Sequence, residues 1–230
     1  MRVELIRQLE AASEEKLRAF NQRIVSDTRY PILGVRTPAV RALAKKLAKN
    51  WRELLMEAQF QSYEETLAVG LAIAYAKDPL PDKLDGLRTL LPKLDSWGMT
   101  DTIAPTLKPK EKDLGLVWEF AGECLTSERE YTVRFGIILM LDDFLTPEFL
   151  PKVQERILGI RDERYYVNMA RAWLLAEMGT KDFRRVYRLL ESGSLDLFTH
   201  NMTIRKMRES YRITKEQKEA VLPLKRKEEK

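Results

Sequence analysis

The segment LPKLDSWGMTDTIAP, residues 91–105, carries the first side chains that could do chemistry. Trp97 and Asp101 are spaced i,i+4, which puts them on one face of a helix that Asp95 or Ser96 can cap. An aromatic plane beside a carboxylate suits a cationic, ring-shaped ligand, because the ring face attracts the cation and the carboxylate compensates its charge. The competing reading is a core tryptophan with an aspartate paired to a neighbouring helix. In SEREYTVRFGIILMLDDFL, residues 127–145, Arg134 sits at the edge of an all-apolar run that predicts a buried helix. A guanidinium there needs a partner, either a carboxylate such as Asp101 or a bound phosphate. DERYYVNMARAWLLAEM, residues 162–178, brings Tyr166, Ala170 and Trp173 near one stripe. Trp173 reads as core on its own, whereas a second tryptophan near the first makes a stacking platform for nucleic acid.

Other chemistries are missing. There is no Gly-rich phosphate loop, GxSxG elbow, HExxH or DxDxDG loop. His200 is the one histidine and nothing marks a serine for it, so a structural role at a helix start is expected. Cys124, in VWEFAGECL, reads as a small buried hydrophobe. One Cys and one His exclude a Cys/His zinc cluster and an internal disulfide. Neither metal nor cofactor is expected.

These side chains need a scaffold, and the composition narrows it. Over 230 residues, Gly and Pro number only 10 each, which disfavours a turn-rich β fold. Apolar residues at 44% with 33% charge describe a globular chain. No signal peptide or spanning run is visible, so a cytoplasmic protein away from membranes is the expectation. Helical periodicity runs almost throughout and predicts helices at about 2–11, 14–26, 37–49, 51–58, 62–77, 82–93, 96–104, 110–125, 128–145, 147–159, 163–178, 181–191, 197–210 and 215–222. Ser62 with Glu65, Ser127 with Glu130 and Thr214 with Gln217 fit the capping box, and Thr37-Pro38 and Thr146-Pro147 fit helix starts. Short helices with short connections predict an all-α fold, an α-solenoid of HEAT-like antiparallel helix pairs in a single domain over 1–230. The last several residues read as a frayed basic tail. Charge is uneven: 21 basic and 23 acidic side chains over 1–150, then 19 and 12 over 151–230. That asymmetry points weakly to a polyanionic partner.

The ordered set Trp97–Asp101, Arg134 and Trp173, with ILGVRTPAVRALAKKL at 32–47 and THNMTIRKMRESYRI at 199–213, resembles the AlkD-like alkylpurine DNA glycosylases over roughly residues 10–215. The resemblance implies a C-shaped solenoid whose basic concave face cradles double-stranded DNA. It implies release of cationic N3- and N7-alkylated purines, without metal or cofactor and without flipping the base, and no obligate protein partner. Carried over residue by residue, Asp101 stabilises the developing sugar cation, Trp97 and Trp173 pack on sugar and backbone, and Arg134 holds a phosphate. Arg171, Arg205, Lys206, Arg208 and Arg212 are further phosphate candidates. The chain departs from active members at Gly98, where many carry an acidic residue, and Phe20 is the nearest match to their N-terminal DNA-contacting aromatic. A non-catalytic DNA-binding solenoid and a protein-binding helical-repeat adaptor are the alternatives.

Overall fold

The computed structural model describes residues 1–227. Among them the chain forms α1 (Arg2–Ala11), α2 (Glu15–Ile24), α3 (Thr37–Leu47), α4 (Trp51–Glu57), α5 (Tyr63–Tyr75), α6 (Leu80–Leu90) and α7 (Trp97–Ile103). It continues through α8 (Leu114–Leu125), α9 (Glu130–Asp143), α10 (Leu150–Gly159), α11 (Tyr165–Lys181), α12 (Phe183–Glu191), α13 (Leu197–Glu209) and α14 (Lys215–Val221). No strand occurs among the described residues, only an isolated bridge between Ser13 and Val35. The all-α solenoid read from the sequence is the fold.

The sequence explains which helices lie inside. In α5 every residue from Tyr63 to Ala74 is buried. The run from Thr132 to Met140 in α9 is buried as well. Helices apolar on every side must be covered on every side. They form an inner row in which α3 touches α5, α5 touches α7, and contact passes on to α9, α11 and α13. Helices with one apolar stripe, such as α10 and α12, flank α11. The four residues singled out from the sequence therefore lie on three consecutive inner helices: Trp97 and Asp101 on α7, Arg134 on α9 and Trp173 on α11.

Helix starts follow the expected chemistry in part. Thr214 and Gln217 form the full capping box. Ser62 accepts the Glu65 N–H, yet the Glu65 carboxylate turns away, to the Gln59 and Gln61 N–H groups and Arg2. Ser127 accepts from Arg129 N–H in the turn before α9 and caps no helix. Thr37 is already inside α3 behind Arg36, and α10 starts at Leu150, after a turn that holds Thr146-Pro147. Asp196 caps α13. His200 is buried and its Nε2 lies 2.8 Å from the Leu224 carbonyl. Cys124 is buried too, and burial pushes its thiol up to about 12.

Two buried acids tie the N-terminal helices to this row. Glu64 on α5 accepts from the backbone N–H groups of Leu33, Gly34 and Val35 at 2.9, 2.8 and 3.2 Å. Gly34 has φ +85°, and a Cβ there would lie 2.6 Å from the Arg18 nitrogen, so only glycine lets this loop lie against α2. At the other end, Arg226 exchanges two hydrogen bonds with the Asn201 side chain, which holds the chain against α13. The tail expected beyond Leu224 is thus fixed to Arg226, and its residues 228–230 lie outside the described part.

Asp143, the last residue of α9, gives the fold a pH dependence. Its Oδ2 is buried without a hydrogen-bond donor, and burial, reinforced by Asp142, raises the carboxyl to about 7. The folded chain then holds a proton that the unfolded chain has already lost between roughly pH 4 and 7. Stability contributed by that proton is present below this window and is lost as pH rises through it. Asp143→Asn is expected to stabilise by about 2 kcal/mol at pH 8, a figure already reduced for partial solvent access, and by nothing at pH 4. Denaturant melts at the two pH values check it, and equal gains at both would contradict it.

Candidate nucleic-acid interface

Asp101 is held through both oxygens. Arg134 donates from Nε to Oδ1 at 2.9 Å and from Nη2 to Oδ2 at 2.7 Å. The Thr100 hydroxyl adds a third donor to Oδ1 at 3.0 Å. Arg134 Nη1 donates to the Tyr166 carbonyl at 2.7 Å, tying α9 to the first turn of α11. Side-chain exposure is 6% for Arg134 and 15% for Asp101, so the arginine is inside while the aspartate side chain keeps some contact with solvent. Of the two partners the sequence left open for Arg134, the structure shows the carboxylate. A fork-to-fork pair of this kind fixes the carboxylate in position and direction.

Trp97 opens α7 and is fixed from its backbone. Ser96 caps the helix by accepting the Gly98 N–H, as expected of it; Asp95 instead receives Thr28 and Arg29. Asp27, between α2 and α3, was not legible in the sequence and does more. Its carboxylate accepts from the Trp97 N–H at 2.9 Å, the Ser96 hydroxyl at 3.1 Å and the Tyr131 hydroxyl at 2.9 Å. It thereby ties the N-terminus of α7 to α9. Burial, with the hydrogen bond to Asp27, raises the Tyr131 hydroxyl well above its usual range, so it stays a donor. The half-buried Trp97 indole donates Nε1–H to the Ile24 carbonyl at 3.3 Å, which anchors α2 beside the site. Phe20 is exposed on that same helix.

Gly98 has a steric reason. A Cβ built on it would lie 2.4 Å from the Tyr63 hydroxyl, with the next ring atom at 3.5 Å. Tyr63 is buried on α5. Gly98→Ala is expected to cost about 1–3 kcal/mol by overpacking. Adding Tyr63→Phe removes the clashing atom and should restore the melting point. A double variant as unstable as Gly98→Ala would mean that the crowding has another source.

Trp173 lies half-buried on α11, two turns beyond Tyr166. The four residues thus sit on neighbouring helices, with direct contact shown for Asp101 and Arg134, while the rings of Trp97 and Trp173 form no stacked pair among the described residues. Of the basic candidates, Lys206 on α13 is close enough to Arg134 and Asp101 to feel both charges; burial, ahead of these, lowers its ammonium. Arg205, Arg208 and Arg212 are exposed, Arg205 paired with Glu209 and Arg212 with Glu177. Arg171 is placed otherwise: it is 3% exposed, and its Nη1 donates to Asn168, Asp196 and Thr199. That pairing is internal and holds the start of α13 to α11.

A cavity of about 1280 Å³ lies beside α13, and Trp97, Asp101, Arg134 and Trp173 line neither it nor four smaller hollows elsewhere on the described residues. No helix is long and apolar enough to cross a membrane among the described residues.

The family model described as DNA alkylation repair enzyme matches residues 5–212, a range that holds Trp97, Asp101, Arg134, Trp173 and the basic candidates. No curated protein and no solved structure matches the chain.

Proposed function

The chain belongs to the DNA alkylation repair enzyme family, and from that premise we propose that it hydrolyses the N-glycosidic bond of N3- and N7-alkylated purines in duplex DNA. The observation that carries this reading is the Asp101 carboxylate, gripped through both oxygens by Arg134 on a side chain that keeps 15% exposure, one helical turn from Trp97.

The leaving group sets what such a site must supply. Alkylation at N3 or N7 makes the purine cationic, so the electron pair of the bond from C1′ to the base returns to the ring and the base departs neutral. No proton donor is needed. Positive charge passes to the sugar, water adds its oxygen to C1′ and gives up a proton, and an abasic sugar remains. A fixed carboxylate beside C1′ stabilises that charge and orients the water. Asp101 fills this role, and Arg134 acts through it as a positioning residue. Trp97 and Trp173 offer ring faces to the sugar and backbone around the lesion, attracted by its cationic character.

Lys206, Arg205, Arg208 and Arg212 provide salt-sensitive, sequence-independent hold on the phosphates. Arg134 is 6% exposed and spends three of its five N–H groups inside the protein, so its part is to hold Asp101, not the phosphate that the resemblance assigned to it. Arg171 is left out of this set because its guanidinium faces inward.

The test is product analysis on a duplex with a single 7-methylguanine. Free 7-methylguanine together with an abasic strand that breaks only under alkali is expected. Methyl transfer to the protein, or strand scission without alkali, would contradict the proposal. Retained DNA binding without release would assign the chain to the non-catalytic alternative.

A further inference from the structure

The N-terminal ends of α9, α11 and α13 line up along one edge of the solenoid, and aromatic rings follow that line. Tyr131 packs on Tyr166 with ring centroids 5.7 Å apart, Tyr166 on Tyr165 at 5.1 Å, and Tyr165 on Phe198 at 5.5 Å. The two outer rings are open to solvent, Tyr165 by 53% and Phe198 by 38%. Neither takes part in the excision chemistry. An exposed run of large rings marks an interaction surface more often than a packing accident.

The far end of this run meets a cationic hollow. Phe198 lines the 1280 Å³ cavity beside α13, together with Met202, Arg208, Lys225, Arg226 and Lys227. The acids of the edge are mostly paired. Glu130 accepts the Tyr166 N–H at 2.9 Å, Asp162 is gripped by Arg164, and Asp196 by Arg171 and the Thr199 N–H. Glu209, the one acid lining the cavity, is paired with Arg205, so the basic side chains there are in excess.

We infer that this edge is a binding track for an unpaired DNA strand, whose bases stack on Tyr165 and Phe198 while its phosphates run into the cavity beside α13. A duplex hides its base faces, so only unpaired nucleotides can use exposed rings. Stacking is tolerant of sequence because every base has a π face. The positive lining favours a polyanion, and the family's DNA substrate makes a nucleic acid strand the fitting one. The inference rests on that substrate and not on the role of Asp101.

Fluorescence anisotropy with a short labelled oligothymidylate and with a duplex of equal length tests it. Tyr165→Leu/Phe198→Leu keeps apolar bulk and removes both aromatic faces. Its affinity for oligothymidylate should fall about tenfold or more, while duplex affinity and 7-methylguanine release stay at the wild-type level. If the pair lowers the melting point, Tyr165→Leu alone, at the more exposed ring, carries the same comparison. Unchanged oligothymidylate affinity in these variants would overturn the inference. So would wild-type protein that ignores the single strand, or from which polyglutamate displaces it as readily as unlabelled oligothymidylate does. Loss of 7-methylguanine release with an intact track would instead strike the proposed excision.

Discussion

Asp101→Asn is expected to slow single-turnover release of 7-methylguanine by about 10²–10³-fold, the usual loss when one preorganised electrostatic contact to a transition state is removed. The variant keeps the shape of the side chain and loses its charge. It also loses half of the fork, because the amide can accept only one of the two Arg134 N–H groups that now reach 2.9 and 2.7 Å. Duplex affinity should change little, since that affinity resides in the phosphate contacts of other side chains. The rate should therefore fall at saturating protein, and not merely at low concentration. Release at the wild-type rate would remove Asp101 from the mechanism, and a proportional loss of affinity would recast it as a binding residue.

Arg134→Ala should be the most destabilising of these single changes. It leaves the Asp101 carboxylate with only the Thr100 hydroxyl and the Tyr166 carbonyl without its donor. Breaking a buried pair from one side costs about 3–5 kcal/mol, and the 15% exposure of the Asp101 side chain puts this case at about 3. For a chain of this size that lowers the melting point by about 10 °C. Arg134→Met combined with Asp101→Asn should cost less than the sum of the separate changes, because neither partner is then left charged and alone. Additive losses would mean that the pair contributes no coupling. Calorimetry on the four proteins settles the point.

What the sequence revealed was local. Ser96, Trp97 and Asp101 lie within one short helix, so spacing and capping rules apply to them directly. The burial of α5 and α9 could be read from runs without a polar face. Asp27 escaped notice because its partners lie 70 and 104 residues away, and an isolated aspartate in a turn carries no periodic signal. Glu65 fits a capping box with Ser62 in the sequence, but its carboxylate and that of Glu64, both in the first turn of α5, serve backbone groups of other segments. Arg171 shows the opposite error of locality. Counted as surface charge, it proves to be an internal partner of Asp196, 25 residues on. Gly98 could be seen as a departure from the family pattern, while its cause, the Tyr63 hydroxyl, comes from a helix that only folding brings near.

The central claim is that the base leaves because it is already cationic, with Asp101 supplying only charge stabilisation to the sugar. The direct measurement is single-turnover release from two duplexes identical but for the lesion, one with 7-methylguanine and one with hypoxanthine, a neutral purine. The account predicts release of 7-methylguanine and none of hypoxanthine. Comparable release of both would show that the site can protonate or otherwise activate a neutral base, and would contradict it.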